Sequence, residues 1–545
     1  MSSQPEINLL KTAYIFPSQK STRTTVPLSI LDAVVTNYVA CAAVWFFDAL
    51  SGSNKDGHRQ LDWLLTLEQS LAMTLSSFPH FAGTLSKITH VSDPANYGSG
   101  DADHTKRYGR LHITFGTDKD PGVEFSTAHC GTTLNEIVPN PTQRKLSDLR
   151  AWDLSCSANA FLADEKKLPF IGGTSSSSPV SIQVTQFGCD GVAVGIRIAH
   201  PLADAQTLSI FMKRWSFEHS ILFPGESTSL DGISIPKTEP PNPVFSPQLL
   251  DSQAAGDIDA LSPDGTILAK SRALPSSRYD WFYPVSDGDP DRNLPSGIKR
   301  SMIKSPGNPM PKEDWDTALP VSHIKLHFSA QQTKKIWVAA GGSGLGVSRH
   351  DAIVAHVWSA INRARGLGSD ERDVSLHYTF GLRKRLGLPS GFMGSPILLT
   401  SIRMPGKDAA NGSSSISQKH DIATKIRNSI SLYTLDNLKA RLHDLCFEVA
   451  PQRLWEAYLG CRHIIFTSWA HLGLYEIDFG GLRGRPRFVE PCMPVLDGLL
   501  CLMEGRPGLK DEEGKRHWCD DGVDVAVSIA TEAIERLRND PELWV

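Results

Sequence analysis

His200-Pro201-Leu202-Ala203-Asp204 sets an imidazole and a carboxylate four positions apart. A histidine titrates near neutrality, so it can take a proton from a hydroxyl during attack and return it to a leaving group. That is the chemistry of a group-transfer base, acyl transfer included. The spacing alone is weak evidence, because the chain holds 18 histidines and chance supplies such pairs. Two others occur, His58 with Asp62 and His517 with Asp521. The first lies in the polar run Asn54 to Gln60 and the second in the charged run Asp511 to Asp521; both read as solvated loop.

Only His200 has elements around it that would position a base. Val192, Val194, Ile196 and Ile198 alternate with Ala193, Gly195, Arg197 and Ala199, the period of a half-buried strand. Pro201 cannot extend the ladder, so the strand ends at His200. Asp204 then stands at an N-cap position ahead of Leu208, Phe211, Met212 and Trp215, which recur at helical spacing. A side chain at the exit of a rigid strand can be aimed into a cleft and held there.

Further landmarks follow in order. Leu67 to Leu85 reads LEQSLAMTLSSFPHFAGTL, Ser348 to Arg365 reads SRHDAIVAHVWSAINRAR, and Phe466 to Gly480 reads FTSWAHLGLYEIDFG; Leu382-Arg383 precedes the turn at Gly394-Ser395. Together with HxxxD and Asp478-Phe479-Gly480, these segments make the chain resemble the BAHD superfamily of plant and fungal CoA-dependent acyltransferases, and among them fungal secondary-metabolism enzymes similar to the trichothecene acetyltransferases. The departures from that pattern are Ala205 after the Asp, Ser395 in place of the turn Asn, and Gly481 and Leu482 where the second signature has Trp and Gly.

Composition agrees with a large enzyme. At 545 residues, 40% hydrophobic and 21% charged, the chain can bury two sizeable cores. A formal net charge of -4 provides no basic field for nucleic acid. Nine cysteines without a CxxC pair read as reduced thiols, and argue against a disulfide framework or a zinc site. No signal peptide is read at the start, and no apolar stretch is long enough for a bilayer. A cytoplasmic monomer with no nucleic-acid partner, membrane insertion or metal is expected.

Proline, glycine, serine and aspartate crowd residues 223–320, so irregular structure is expected there. The aromatics of Asp280-Trp281-Phe282-Tyr283 would pin this segment to a domain surface. A polar insert is read from Val91 to Arg107, ahead of a strand from Arg110 to Phe115. In the second half, Ile324, Leu326 and Phe328 predict a strand, Gln331 to Ala340 a helix ending at Gly341-Gly342, and Ser348 with Asp351 a capping box. Val523, Val527, Ala530, Ile534 and Leu537 predict a final amphipathic helix. The class is mixed α/β. The resemblance implies two chloramphenicol-acetyltransferase-like domains, residues 1–222 carrying HxxxD and residues 321–545 carrying DFG, joined by the long crossover 223–320 with an active-site channel between them.

Three competing readings fall away. Asp478-Phe479-Gly480 lacks the other kinase motifs, Gly341 to Gly346 lacks the phosphate-loop lysine and the nucleophile-elbow spacing, and Ser175 to Ser178 reads as a loop tip.

The resemblance implies roles. His200 is the general base and acyl-CoA, acetyl-CoA in the first place, the co-substrate, with no permanently bound cofactor. The acceptor is a hydroxyl on a small secondary metabolite. Asp204 turns away from the imidazole to pair with Arg383 and orient the site; Trp469 is the oxyanion candidate; Thr467 and Ser468 line the substrate pocket; Asp478 braces a distal loop. The alternatives are a catalytically silent CoA- or metabolite-binding relative and an amide-forming N-acyltransferase or condensation-type enzyme. Condensation domains carry a second His before the motif, where this chain has Ala199.

Overall fold

A computed structural model describes residues 5–49, 57–89, 103–140, 150–153, 158–174, 176–223, 239–284, 289–303, 305–411, 416–480, 485–507 and 517–544. The fold is mixed α/β, with two large sheets of similar plan. The first has six strands, in the spatial order Ile7–Ile15, Val123–Cys130, Val180–Phe187, Val192–Ile198, Cys41–Phe47 and Phe488–Pro491. The second has seven, in the order Ile397–Pro405, Asp373–Gly381, His463–Ser468, Leu499–Glu504, Val523–Ala530, Val321–Phe328 and Ala151–Trp152. Each is mainly antiparallel with parallel pairs within it.

The sheets exchange strands. Phe488–Pro491, late in the sequence, pairs antiparallel with Cys41–Phe47 in the first sheet, and Ala151–Trp152 pairs with Val321–Phe328 in the second. Between these, Trp469, Leu474, Tyr475, Ile477 and Phe479 fill the first core beside Trp63, Phe211 and Trp215. The Trp45 indole donates to the Leu474 carbonyl at 3.0 Å. The second core forms around the helix Arg349–Ala364 and the inner strands of its sheet. The Ser348 and Asp351 capping box opens this helix.

The strand before His200 spans Val192–Ile198 and is buried on both faces, not one. It lies between Val180–Phe187 and Cys41–Phe47, and Gly195 gives the reason for its second buried face. A Cβ there would stand 2.0 Å from the Phe161 carbonyl oxygen, so glycine lets that segment close over the sheet.

The described parts of 223–320 carry more order than their composition predicts. Asp264 caps a helix over Gly265–Arg272, and Tyr279–Asp280 pairs with Leu454–Trp455. The Trp281 ring stacks on Trp455 at 5.8 Å and 18°, so the aromatic segment is pinned as its residues suggested. The expected C-terminal helix is corrected: Val523–Ala530 is a strand and only Thr531–Arg538 is helical. Val523, Val525, Val527 and Ile529 are β-branched and alternate at period two, and that pattern prevails over the weaker helical one. Gly341 to Gly346 form a 3-10 turn flanked by left-handed glycines. Most of the 91–107 insert, Ser175, and Gly481 with Leu482 lie outside the described residues. Among those described, the eight cysteines are free and no helix is long and apolar enough to cross a membrane.

Candidate active site

His200 leaves its strand on a short 3-10 turn, His200–Leu202, begun by Pro201. Asp204 then caps the helix Ala205–Leu222 by accepting from the Thr207 amide at 2.9 Å. The same carboxylate receives Arg383 in a two-pronged pair, Nη1 to Oδ2 at 2.6 Å and Nη2 to Oδ1 at 2.9 Å. Arg383 also donates to the Phe392 carbonyl at 2.8 Å, the Thr207 hydroxyl at 2.9 Å and the Gly394 carbonyl at 3.1 Å. Both partners are buried, and with its acceptors paired in this way the Asp204 carboxylate makes no hydrogen bond to the imidazole.

The imidazole has another partner. The Ser395 hydroxyl donates to the His200 carbonyl at 2.5 Å, and His200 Nδ1 lies 3.2 Å from the same oxygen. A hydroxyl has one proton to give. With that proton on the carbonyl, Ser395 accepts from Nδ1–H, and the network assigns the lone pair to Nε2. Nε2 meets no partner among the described residues. Burial lowers the His200 pKa below its ordinary value, which keeps the ring neutral and the lone pair available.

Ser395 is itself held from the first half of the chain. Its amide donates to Asp32 Oδ1 at 2.7 Å, while the Ser29 amide and hydroxyl donate to Asp32 Oδ2 at 2.9 and 2.7 Å. Burial raises the Asp32 carboxyl to about 7 against these hydrogen bonds. Gly394 adopts a φ of 105°, and a Cβ there would come 2.8 Å from Asp32 Oδ1. The turn therefore requires glycine at this position.

Two cavities meet at His200. One, of about 340 Å³, is lined by His200, Asp204, Arg383, Thr467, Ser468 and Trp469, with His350 and Tyr378. The second, of about 480 Å³, shares His200 and Thr467 and runs between Tyr38, Trp281, Trp315, Gln452 and Trp455. The Tyr38 ring packs edge-on against the imidazole, with centroids 5.5 Å apart and the planes at 84°. The Trp469 backbone is fixed by its amide N–H, which donates to the Leu502 carbonyl at 2.8 Å; its indole N–H meets no acceptor among the described residues. Ser468 Oγ accepts from the Ala470 amide at 3.3 Å.

Asp478 lines neither cavity. It accepts from the Gly480 amide at 2.9 Å, and Phe479 packs against Phe47, Trp215 and His219. Among the rival histidines, His517 Nδ1 lies 3.2 Å from Arg349 Nη1 and 3.0 Å from Cys519 Sγ and also lines neither cavity. The His58 side chain lies outside the described residues.

His350 and Tyr378 were not singled out from the sequence. Burial lowers His350 to about 4 and raises the Tyr378 phenol, so the phenol donates to His350 Nδ1 at 2.7 Å. Asp32 was also missed. Its Ser29-x-x-Asp32 spacing marks a helix start, but nothing local pairs it with a turn 363 residues away.

A family model described as Transferase family matches residues 6–92, 119–251 and 312–544. The chain belongs to the BAHD acyltransferases. It is thus an acyltransferase of the acyl-CoA-dependent type. This BAHD chain is 29% identical over 498 residues to Acyltransferase AFT15-1 of Alternaria alternata, covering 89% of this chain and 88% of the relative. It is 27% identical over 529 residues to Acyltransferase abl6 of Leptosphaeria maculans, covering 96% and 95%. Among solved structures, the BAHD fold is shared with TRI101 of F. graminearum, a complex with coenzyme A and deoxynivalenol. That match has a TM-score of 0.64 and 14% identity, and covers 95% of this chain and 98% of the other. Vinorine synthase matches with a TM-score of 0.53 and 18% identity, over 97% and 96%.

Proposed function

We propose that this chain transfers an acyl group from a CoA thioester to a hydroxyl of a small hydroxylated metabolite, with His200 as the general base. The observation that carries this reading is the Ser395 hydroxyl beside His200 Nδ1, which leaves Nε2 without a partner among the described residues on a side chain that lines both cavities. Nε2 takes the proton as the acceptor oxygen attacks the thioester carbonyl. The negative charge that forms on the carbonyl oxygen meets the Trp469 indole N–H, a donor without a partner among the described residues. Collapse of the tetrahedral intermediate breaks the C–S bond, and the imidazolium returns its proton to the leaving thiolate. Asp204 and Arg383 act on this sequence by fixing the HxxxD turn against Gly394-Ser395, not by contact with substrate. The TRI101 complex, which holds coenzyme A and deoxynivalenol together, supports a site that takes two substrates at once.

Acyl-CoA turnover against hydroxylated acceptors, read by product mass, tests this. His200→Ala is expected to retain its fold and to lose about 10²- to 10⁴-fold in kcat, whereas His517→Ala retains activity. Since burial lowers the His200 pKa, the base is neutral above its folded value. The acidic limb of kcat/KM should therefore fall below the ordinary histidine value of about 6.5. Near-native turnover in His200→Ala would remove the mechanism.

A further inference from the structure

The second cavity is the larger one and is built differently. At about 480 Å³ it far exceeds the voids of close-packed interiors. Three tryptophans wall it, brought from separate segments: Trp281 from the crossover, Trp315 from its end and Trp455 from the second half. Trp281 and Trp455 stack at 5.8 Å and 18°, Trp455 and Trp315 both pack on Tyr458, and the set forms one aromatic surface. The surface is held firmly. Tyr279–Asp280 pairs with Leu454–Trp455, and the buried Asp280 carboxylate receives Arg453. Leu399, Leu459, Leu496 and Leu499 complete an apolar wall.

The polar side chains along this cavity are those of Asn37, Tyr38, Thr379, Gln452 and Thr467, with His200 at its junction with the first cavity. Indole faces favour offset stacking with another flat π system.

We infer that one of the two substrates carries an extended, flat, conjugated group, aromatic or polyene, and that the tryptophan-walled cavity binds it with the reacting carbon or oxygen at His200. This rests on the acyltransferase reading and deepens it, replacing the acetyl group that the family resemblance implies if the group belongs to the donor. If it belongs to the acceptor, the group is the body of the hydroxylated metabolite.

The test is calorimetric binding to the His200→Ala variant, so that its outcome does not depend on that histidine's role. Acetyl-CoA, decanoyl-CoA and cinnamoyl-CoA form the donor arm; cinnamyl alcohol and ethanol form the acceptor arm, each titrated in the presence of CoA. A donor-side site is expected to bind cinnamoyl-CoA at least about tenfold more tightly than acetyl-CoA, and an acceptor-side site to bind cinnamyl alcohol at least about tenfold more tightly than ethanol. Trp455→Ala and Trp315→Ala should each remove that gain and leave acetyl-CoA binding unchanged. No gain in either arm, or a gain that survives both substitutions, overturns the inference. Decanoyl-CoA binding as tightly as cinnamoyl-CoA overturns the requirement for a flat group. Loss of turnover in His200→Ala with these affinities intact supports the catalytic reading separately.

Discussion

Asp204→Asn separates two explanations of the HxxxD motif. The substitution keeps the shape of the side chain and an oxygen for the Thr207 amide, so the helix cap at 2.9 Å can survive. What it removes is the negative charge facing Arg383 at 2.6 and 2.9 Å. The guanidinium then retains only neutral acceptors, the Phe392 and Gly394 carbonyls and the Thr207 hydroxyl. Leaving one partner of a buried pair uncompensated costs about 3–5 kcal/mol. The expected result is a lower unfolding midpoint in urea together with reduced turnover, because the turn that carries His200 is bound to Gly394-Ser395 by the same network. Combining Asp204→Asn with Arg383→Met should recover about 1–3 kcal/mol relative to the sum of the single changes, since the orphaned charge is gone. A variant that unfolds at the native midpoint yet loses turnover would refute this reasoning and assign Asp204 a direct effect on the imidazole.

Two further substitutions isolate single hydrogen bonds. Trp469→Phe keeps the ring in the channel wall and removes the N–H; a loss of about 10²- to 10³-fold in kcat with little change in KM is expected, and an unaltered kcat would exclude the indole as the oxyanion donor. Ser395→Ala removes the acceptor that fixes Nδ1–H, a bond worth about 1 kcal/mol, so kcat should fall about fivefold while KM holds; equal activity at all pH values would show that the tautomer is set by some other group.

The elements around the base were legible because each was encoded locally. The alternation before His200, the proline after it and the cap at Asp204 are adjacent in sequence, and the strand, turn and helix stand where those signals placed them. The second capping box, Ser348 with Asp351, was readable for the same reason. What failed was long-range or depended on competition between periods. The stretch from Val523 to Leu537 carries a helical stripe and an alternating one, and only partners on both sides, Leu499–Glu504 and Val321–Phe328, make the first eight residues a strand. The order within 223–320 comes from pairing with Leu454–Trp455 and from stacking on Trp455, contacts that composition does not express. Asp32, His350 and Gln452 have no local signature of function. They enter the site only because the chain folds them against residues from other elements, Asp32 against Ser395 and His350 against Tyr378 and Phe466.

The strand exchange gives Asp478 and Phe479 of the second signature a place in packing, apart from both cavities. Trp469, Leu474, Tyr475, Ile477 and Phe479 pack into the first core, and Phe488–Pro491 pairs with Cys41–Phe47. Trp469 stands at the start of this segment and faces the channel; Asp478 and Phe479 stand in the middle of it, away from both cavities. Phe479 lies among Phe47, Trp215 and His219, and the Gly480 carbonyl accepts from the Trp63 indole at 3.2 Å. Substitutions at Asp478 and Phe479 act through the packing of this segment and of the helix Ala205–Leu222, to which Trp215 and His219 belong. Packing of this kind tolerates change that conserves volume, whereas a proton must be carried by a particular nitrogen. Phe479 stands on the tolerant side of that distinction, and His200, the proposed base, on the strict side.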